Sequence, residues 1–259
     1  MPIAAITGPT SGIGRGFADA FARKGYDLVL VARDEERLTL LAEELFRDYG
    51  VRSEILVADL ASRADVDRVA ARLADPTRPV AALVNNAGFG LRSSFSRNDV
   101  DDEQALLDVL VTAVLRLTHA TVPGMVERGS GMIVNVSSIA GWITGGTYSA
   151  AKAWVTVFSE SLSQELTGTG VRVTAVCPGF VHTEFHERAD IDMSSLPEVL
   201  WLDVPQVVGQ AMRDLARNRP VSVAGAQYKA VSGLLRHGPR SLVHLVTGAR
   251  RNPRFGGRR

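Results

Sequence analysis

Short apolar runs and longer amphipathic stretches alternate along most of the chain, and that alternation predicts its elements. Runs at 3–7, 27–31, 53–58, 80–85, 131–137, 171–176 and 220–223 read as strands. The first five are short and almost wholly apolar, with little of the in-out alternation of a one-faced sheet, so both of their faces are covered. Stretches of helical period fill the intervals, beginning with 15–24. Strand and helix in turn predict an open, doubly wound parallel sheet of seven strands with helices on both faces. No internal repeat or linker marks a second domain, so residues 1–259 are read as a single α/β unit. Residues 183–205 interrupt the alternation with polar side chains and with Met193, Leu196 and Trp201. Ligands in such sheets lie beyond the carboxyl ends of the strands, which puts this insertion where it can close over a site.

The first strand breaks into Thr7-Gly8-Pro9-Thr10-Ser11-Gly12-Ile13-Gly14 just before a helix. Glycines let an anion approach the backbone without meeting a Cβ, and the N–H groups and dipole of the helix N-terminus attract it. An ordinary tight connection uses the same residues, but placement on the first strand of an alternating chain favours a pyrophosphate site. A second feature is Tyr148-Ser149-Ala150-Ala151-Lys152. Four residues apart on a helix, phenol and ammonium share a face. A nearby cation is expected to draw the Tyr148 pKa down from about 10, toward the range of a general acid-base. Taken alone, such a pair is commonly a half-buried ring beside a solvated charge.

Composition narrows the setting. At 27.8 kDa and 46% hydrophobic residues, the chain is long enough for a core on both sides of a sheet. No apolar run approaches the roughly 20 residues of a bilayer span. The first strand begins at Ile3 and Cys177 is the single cysteine, so a cytoplasmic protein without leader or internal disulfide is expected. The net charge of +1 conceals an asymmetry, because no residue after Asp214 is acidic. Ten of the 29 Lys and Arg lie beyond it, leaving 19 against 28 acids before. This basic C-terminal extension, about 227–259, offers charge to an acidic membrane surface or an anionic carrier, and 241–246 is apolar enough for a surface helix. Residues 250–259 read as solvated, disordered chain, and nucleic acid is not expected as a partner.

Four motifs, in this order, resemble the short-chain dehydrogenase/reductase family. They are the glycine-rich turn, Asn85-Asn86-Ala87-Gly88, Ser137-Ser138 followed by Tyr148 to Lys152, and Pro178-Gly179-Phe180-Val181-His182-Thr183. The likeness spans nearly the whole chain and implies a single-domain Rossmann fold that moves hydride to or from a nicotinamide. It implies that Tyr148 gives a proton to a carbonyl oxygen or takes one from an alcohol, and that Ser138 hydrogen-bonds the same oxygen. Lys152 would hold the nicotinamide ribose and, with the charge of the oxidised ring, depress the Tyr148 pKa. Gly8, Thr10, Ser11, Gly12, Ile13 and Gly14 would line the pyrophosphate, and Asn86, Ala87 and Gly88 would let the cofactor pass close to backbone. Asp59 would bond adenine with Leu60 beside it. Pro178, Gly179, Val181 and Thr183 would hold the nicotinamide end, Val181 through its backbone, while His182 is a bystander and no metal is implied.

The second strand ends in Ala32-Arg33, where an enzyme selective for NAD carries a carboxylate. A guanidinium there suits a 2′-phosphate, so NADP(H) is the expected cofactor, with Arg15 equally readable as a further cation or as a solvated first-turn side chain, and Asp34 as a partial offset. Leu110 stands where many family members have an Asn that holds a water behind the lysine, and 139–147 is shorter than usual. Trp142 and Ile143, with Phe89, Leu91 and Trp201, suggest an apolar cleft. The expected protein is an NADP(H)-dependent oxidoreductase for an apolar ketone or 3-oxoacyl substrate, similar to bacterial ketoacyl-reductase-like members. It is expected to be a homodimer or homotetramer joined through helices in 100–129 and 147–168. The alternative is an NADP-binding sensor or scaffold with little turnover.

Overall fold

The structure, a computed structural model, describes residues 1–91, 93–184 and 197–237. Seven parallel strands form the sheet: β1 Ile3–Thr7, β2 Asp27–Ala32, β3 Ser53–Val57, β4 Val80–Asn85, β5 Gly131–Val136, β6 Val171–Val176 and, after two further strands, β9 Val221–Ser222. Their spatial order is β3-β2-β1-β4-β5-β6-β9. The chain moves outward from β1 to β3 and then returns to pair β4 with the other edge of β1, which opens a crevice where the direction reverses. Register brings Thr7 level with Val31, Asn85 with Asn135, and Val136 with Val176, so the carboxyl ends border that crevice.

Helices cover both faces. α1 Gly12–Ala22 and α2 Glu35–Tyr49 pack on one side, with α7 Val204–Ala216 and α8 Ala226–His237. α3 Arg63–Leu73 and α5 Ala113–Glu127 pack on the other. Successive strand residues serve opposite cores: Leu28 and Leu30 share one with Phe17 and Leu38, while Val29 and Val31 share the other with Val66 and Leu117. α4 Val100–Leu107 runs into α5 through one π-helical turn, Asp108–Thr112, and α6 is the 20-residue helix Gly146–Glu165.

Three features depart from expectation. A separate two-stranded parallel sheet, β7 Phe180–Val181 with β8 Trp201–Leu202, lies beside the main one; two residues per strand are too few to show a period. The insertion ends at 203 and not 205, because the Gln206 side chain accepts the Asp203 N–H at 3.2 Å and starts α7 there. The stretch Val100–Glu127 is, at 28 residues, long and apolar enough by length and composition to cross a bilayer. In this fold its Leu106, Leu110, Leu117 and Met125 are fully buried among the other helices and strands. Met193, Leu196 and the tail 238–259 lie outside the described residues.

Candidate active site

β5 ends in two serines with different surroundings. Ser137 is buried, and its hydroxyl donates to the Lys152 carbonyl at 2.7 Å and meets the Thr156 hydroxyl at 2.7 Å. Ser138 accepts the Ala140 N–H at 3.1 Å, starting a 3₁₀ turn, Ile139–Trp142, and hydrogen-bonds the Tyr148 phenol. The turn is fastened from below, since Ile139 N–H donates to Pro178 O at 3.1 Å. Tyr148 and Lys152 project from the same face of α6, with Lys152 Nζ 5.7 Å from the centre of the phenol ring. Lys152 is only 5% exposed and donates to Val136 O at 2.7 Å.

Charge in this cluster runs against the expected direction. Burial pushes the Tyr148 phenol up to about 12, and the Ser138 hydrogen bond offsets only part of the rise. Burial likewise pulls Lys152 down to about 8, with the Cys177 thiol acting weakly the other way. Lys152 therefore does not lower the Tyr148 pKa in the protein alone, because both groups lose water and their mutual attraction does not outweigh that loss. A phenol in this state is a proton donor throughout the neutral range.

Behind the cluster lies a buried polar chain. Asn85 donates to Asn135 at 2.8 Å and lies 3.0 Å from the Thr118 hydroxyl, and Asn135 donates in turn to Ser159 at 2.9 Å. Asn135 was the readable member, a polar residue inside an otherwise apolar strand, and sequence reasoning passed over it. Leu110 sits in the π turn, 1% exposed, packed with Leu106 and Ala151 and against Tyr148 and Phe89. A Cβ on Gly88 would come within 2.8 Å of Leu110 and 3.9 Å of Lys152 Nζ, so a side chain there would crowd the leucine and approach the lysine.

The glycine-rich turn is fixed from across the sheet. Thr7 Oγ1 accepts the N–H groups of Asn86 and Ala87 at 2.9 and 3.0 Å, and Asn86 Nδ2 donates to the carbonyls of Thr7 and Gly8, both at 3.0 Å. Gly8 and Gly12 have positive φ, and a Cβ on Gly14 would lie 2.1 Å from Gly8 O. Ser11 gives α1 no side-chain cap and its first turn has no acid, unlike α2, α3 and α4, which Asp34, Ser62 and Asp99 cap. The open N–H groups and the space kept by the glycines fit a pyrophosphate. Across that space Thr183 faces Gly12, its methyl 3.0 Å from where a Gly12 Cβ would be. Thr10 and Ile13 border the turn, half-buried, with Ile13 against the core.

Farther along, Asp59 accepts the Ala61 N–H at 3.0 Å and Leu60 is buried in the second core. Arg33 is exposed at the end of β2 and forms no ion pair among the described residues. Asp34 is engaged as the cap of α2, accepting Arg37 N–H at 3.0 Å. Arg15, readable as a further cation, is turned away by carboxylates of its own layer, Asp19 at 3.2 Å and Glu44 at 2.8 Å. At the other end His182 stacks on Trp201, 4.6 Å between ring centres, with Nε2 3.1 Å from Glu198. His182 N–H donates to Leu202 O at 3.0 Å, so strand alternation turns the buried Val181 N–H to the opposite side. Among the described residues no group of three or more His, Cys, Asp or Glu side chains converges for a metal.

A half-buried phenol and hydroxyl and a buried amine beside the switch point of a doubly wound sheet, near an uncapped glycine-rich helix start, define a dinucleotide-dependent oxidoreductase. The chain belongs to the short chain dehydrogenase family, whose model matches residues 2–193. It is 43% identical over 188 residues, 71% of this chain and 74% of the relative, to sulfoacetaldehyde reductase 2 of Chromohalobacter salexigens. A short-chain dehydrogenase from Sphingobium yanoikuyae in complex with NADPH matches with a TM-score of 0.82 at 35% identity, covering 100% of this chain and 97% of that one. The bulky-bulky ketone specific alcohol dehydrogenase of Comamonas testosteroni matches with a TM-score of 0.77 at 30% identity, covering 100% and 96%.

Proposed function

We propose that the protein is an NADP(H)-dependent carbonyl reductase or alcohol dehydrogenase in which Ser138, Tyr148 and Lys152 carry the proton chemistry. The observation that carries this reading is the convergence of the three side chains at the carboxyl end of β5, with the Tyr148 phenol hydrogen-bonded to Ser138 and its ring within cation reach of Lys152. Bound nicotinamide would supply the hydride. Tyr148 donates its proton to the carbonyl oxygen on reduction, and Ser138 aims a second donor at the charge developing there. Lys152, held to Val136 O, offers its remaining protons to the nicotinamide ribose. Arg33 supports the choice of NADP(H), and the NADPH bound to the Sphingobium protein agrees with it.

Phe89 and Leu91 pack with Tyr148 and Leu110, and Trp201 lies 6.1 Å from Phe180 in the small sheet that follows Gly179. These apolar walls favour a ketone with hydrophobic substituents or a 3-oxoacyl chain over a small anionic aldehyde. The ketone named for the Comamonas enzyme agrees with this, and the sulfoacetaldehyde named for the Chromohalobacter relative, at higher identity, is the competing substrate class. The face of α6 with stacked Trp154 and Phe158 and exposed Val157 suits self-association. A panel of bulky ketones, 3-oxoacyl thioesters and sulfoacetaldehyde, assayed with NADPH and with NADH, tests the reading; turnover of the first two classes with NADPH is expected.

Leu110 motivates a second reading, an NADP-binding sensor, because a leucine cannot hold the water that would pass protons behind Lys152. NADPH binding without turnover across the panel, with Tyr148→Phe indistinguishable from wild type, would favour it.

A further inference from the structure

We infer that Tyr228 is a positioning residue for the nicotinamide half of the cofactor site, an inference that rests on the NADP(H) reading. Tyr228 belongs to none of the four motifs. It stands in the first turn of α8, 4% exposed, and its ring lies on Gly179. A Cβ at that glycine would come within 2.1 Å of the ring. Gly179 is not among the glycines with positive φ, so the missing side chain answers the Tyr228 ring and not a backbone conformation.

The hydroxyl makes two bonds to backbone. It accepts the Phe180 N–H at 3.1 Å and donates to Leu200 O at 2.5 Å. In the parallel register of β7 and β8, His182 N–H reaches Leu202 O directly, so two residues back the corresponding rung joins Phe180 N–H to Leu200 O. The phenol oxygen is inserted into that rung and completes it from both sides. Val181 lies between the two rungs, 3% exposed, with its N–H turned toward the side where the carboxamide is proposed to bind. Thr183, facing the glycine-rich turn, follows two residues on. The helix that carries Tyr228 is also held at its far end, where Arg236 pairs with Glu160 and lies 5.5 Å over the ring of Trp142, in the turn that follows Ser138. Tyr228 thereby fixes the strand offering the carboxamide contact in relation to the wall bearing the catalytic serine.

The test is Tyr228→Phe, which keeps the ring in the core and removes only the oxygen from the rung. Isothermal titration with two probes separates positioning from general structure: NADPH, which spans the whole site, and adenosine 2′,5′-bisphosphate, which fills only the adenosine half. Loss of two hydrogen bonds around Val181 is expected to raise the NADPH Kd about five- to tenfold and leave the bisphosphate Kd within about twofold. Unchanged NADPH binding in the variant, with tight binding by wild type, overturns the inference alone. Equal weakening of both probes marks a general folding defect and also overturns it. Wild type that binds the bisphosphate but not NADPH, or neither, overturns the cofactor reading and this inference with it.

Discussion

At the end where proton transfer is proposed, Ser137 and Lys152 are buried, and the polar atoms of Ser137, Ser138, Tyr148 and Lys152 are held by other parts of the protein. At the end proposed for the adenosine, Arg33 stands in solvent. Burial at the first end fixes geometry and moves proton affinities by whole units, whereas charge at the second acts through water and salt. Changes at the first should therefore alter turnover by orders of magnitude, and changes at the second should alter affinity.

The largest expected effect follows from Tyr148→Phe, which removes the proposed proton donor and leaves the ring in place. Steady-state kinetics should show kcat falling about 10³-fold while NADPH affinity changes little; a loss below tenfold would break the comparison. Next come the adjacent serines. Ser138→Ala should lower kcat about 10²-fold with urea unfolding unchanged. Ser137→Ala should instead lower stability by about 1–3 kcal/mol with a smaller effect on turnover, because the Thr156 hydroxyl and the Lys152 carbonyl lose a buried partner. Equal behaviour of the two variants would contradict the division of labour.

Arg33→Ser tests the exposed end. It should raise the KM for NADPH about tenfold and leave that for NADH unaltered, an effect that shrinks as salt is added. The smallest effect concerns Lys152, whose folded pKa of about 8 lies below its ordinary 10.5. Between those values the unfolded chain holds a proton that the folded one lacks, so this group makes stability rise with pH across that window. Cys177, raised from 9.0 to about 11, opposes the rise from pH 9 upward. Subtracting the unfolding free energies of Lys152→Met from those of wild type removes the cysteine contribution. The difference should move in favour of wild type by about 1–2 kcal/mol between pH 7.5 and 9.5.

The seven strands were legible because a sheet covered on both faces writes itself as apolar runs, and 3–7, 80–85 and 171–176 match the observed strands to the residue. The four motifs were legible because glycines and polar groups must stand at strand ends to meet a ligand. Sequence could not supply the depth of burial, which is why the Tyr148 shift runs opposite to the direction that spacing implied. The pairing of Arg15 was hidden for a related reason: Glu44, which holds it, lies 29 residues away on another helix. Tyr228 was not singled out, since its partners Leu200 and Phe180 are 28 and 48 residues distant. The π turn around Leu110 is a backbone event that no residue type announces.

The Thr7 hydroxyl that grips Asn86 and Ala87 spans 79 and 80 residues of chain. Its effect extends to the order of events during folding. β2 and β3 intervene in sequence and lie on the other side of β1, so the glycine-rich turn cannot take its final shape until β4 has docked. Contacts of such long separation form slowly. A growing chain that has emerged only through β3 would carry the complete glycine motif and still be unable to hold a dinucleotide.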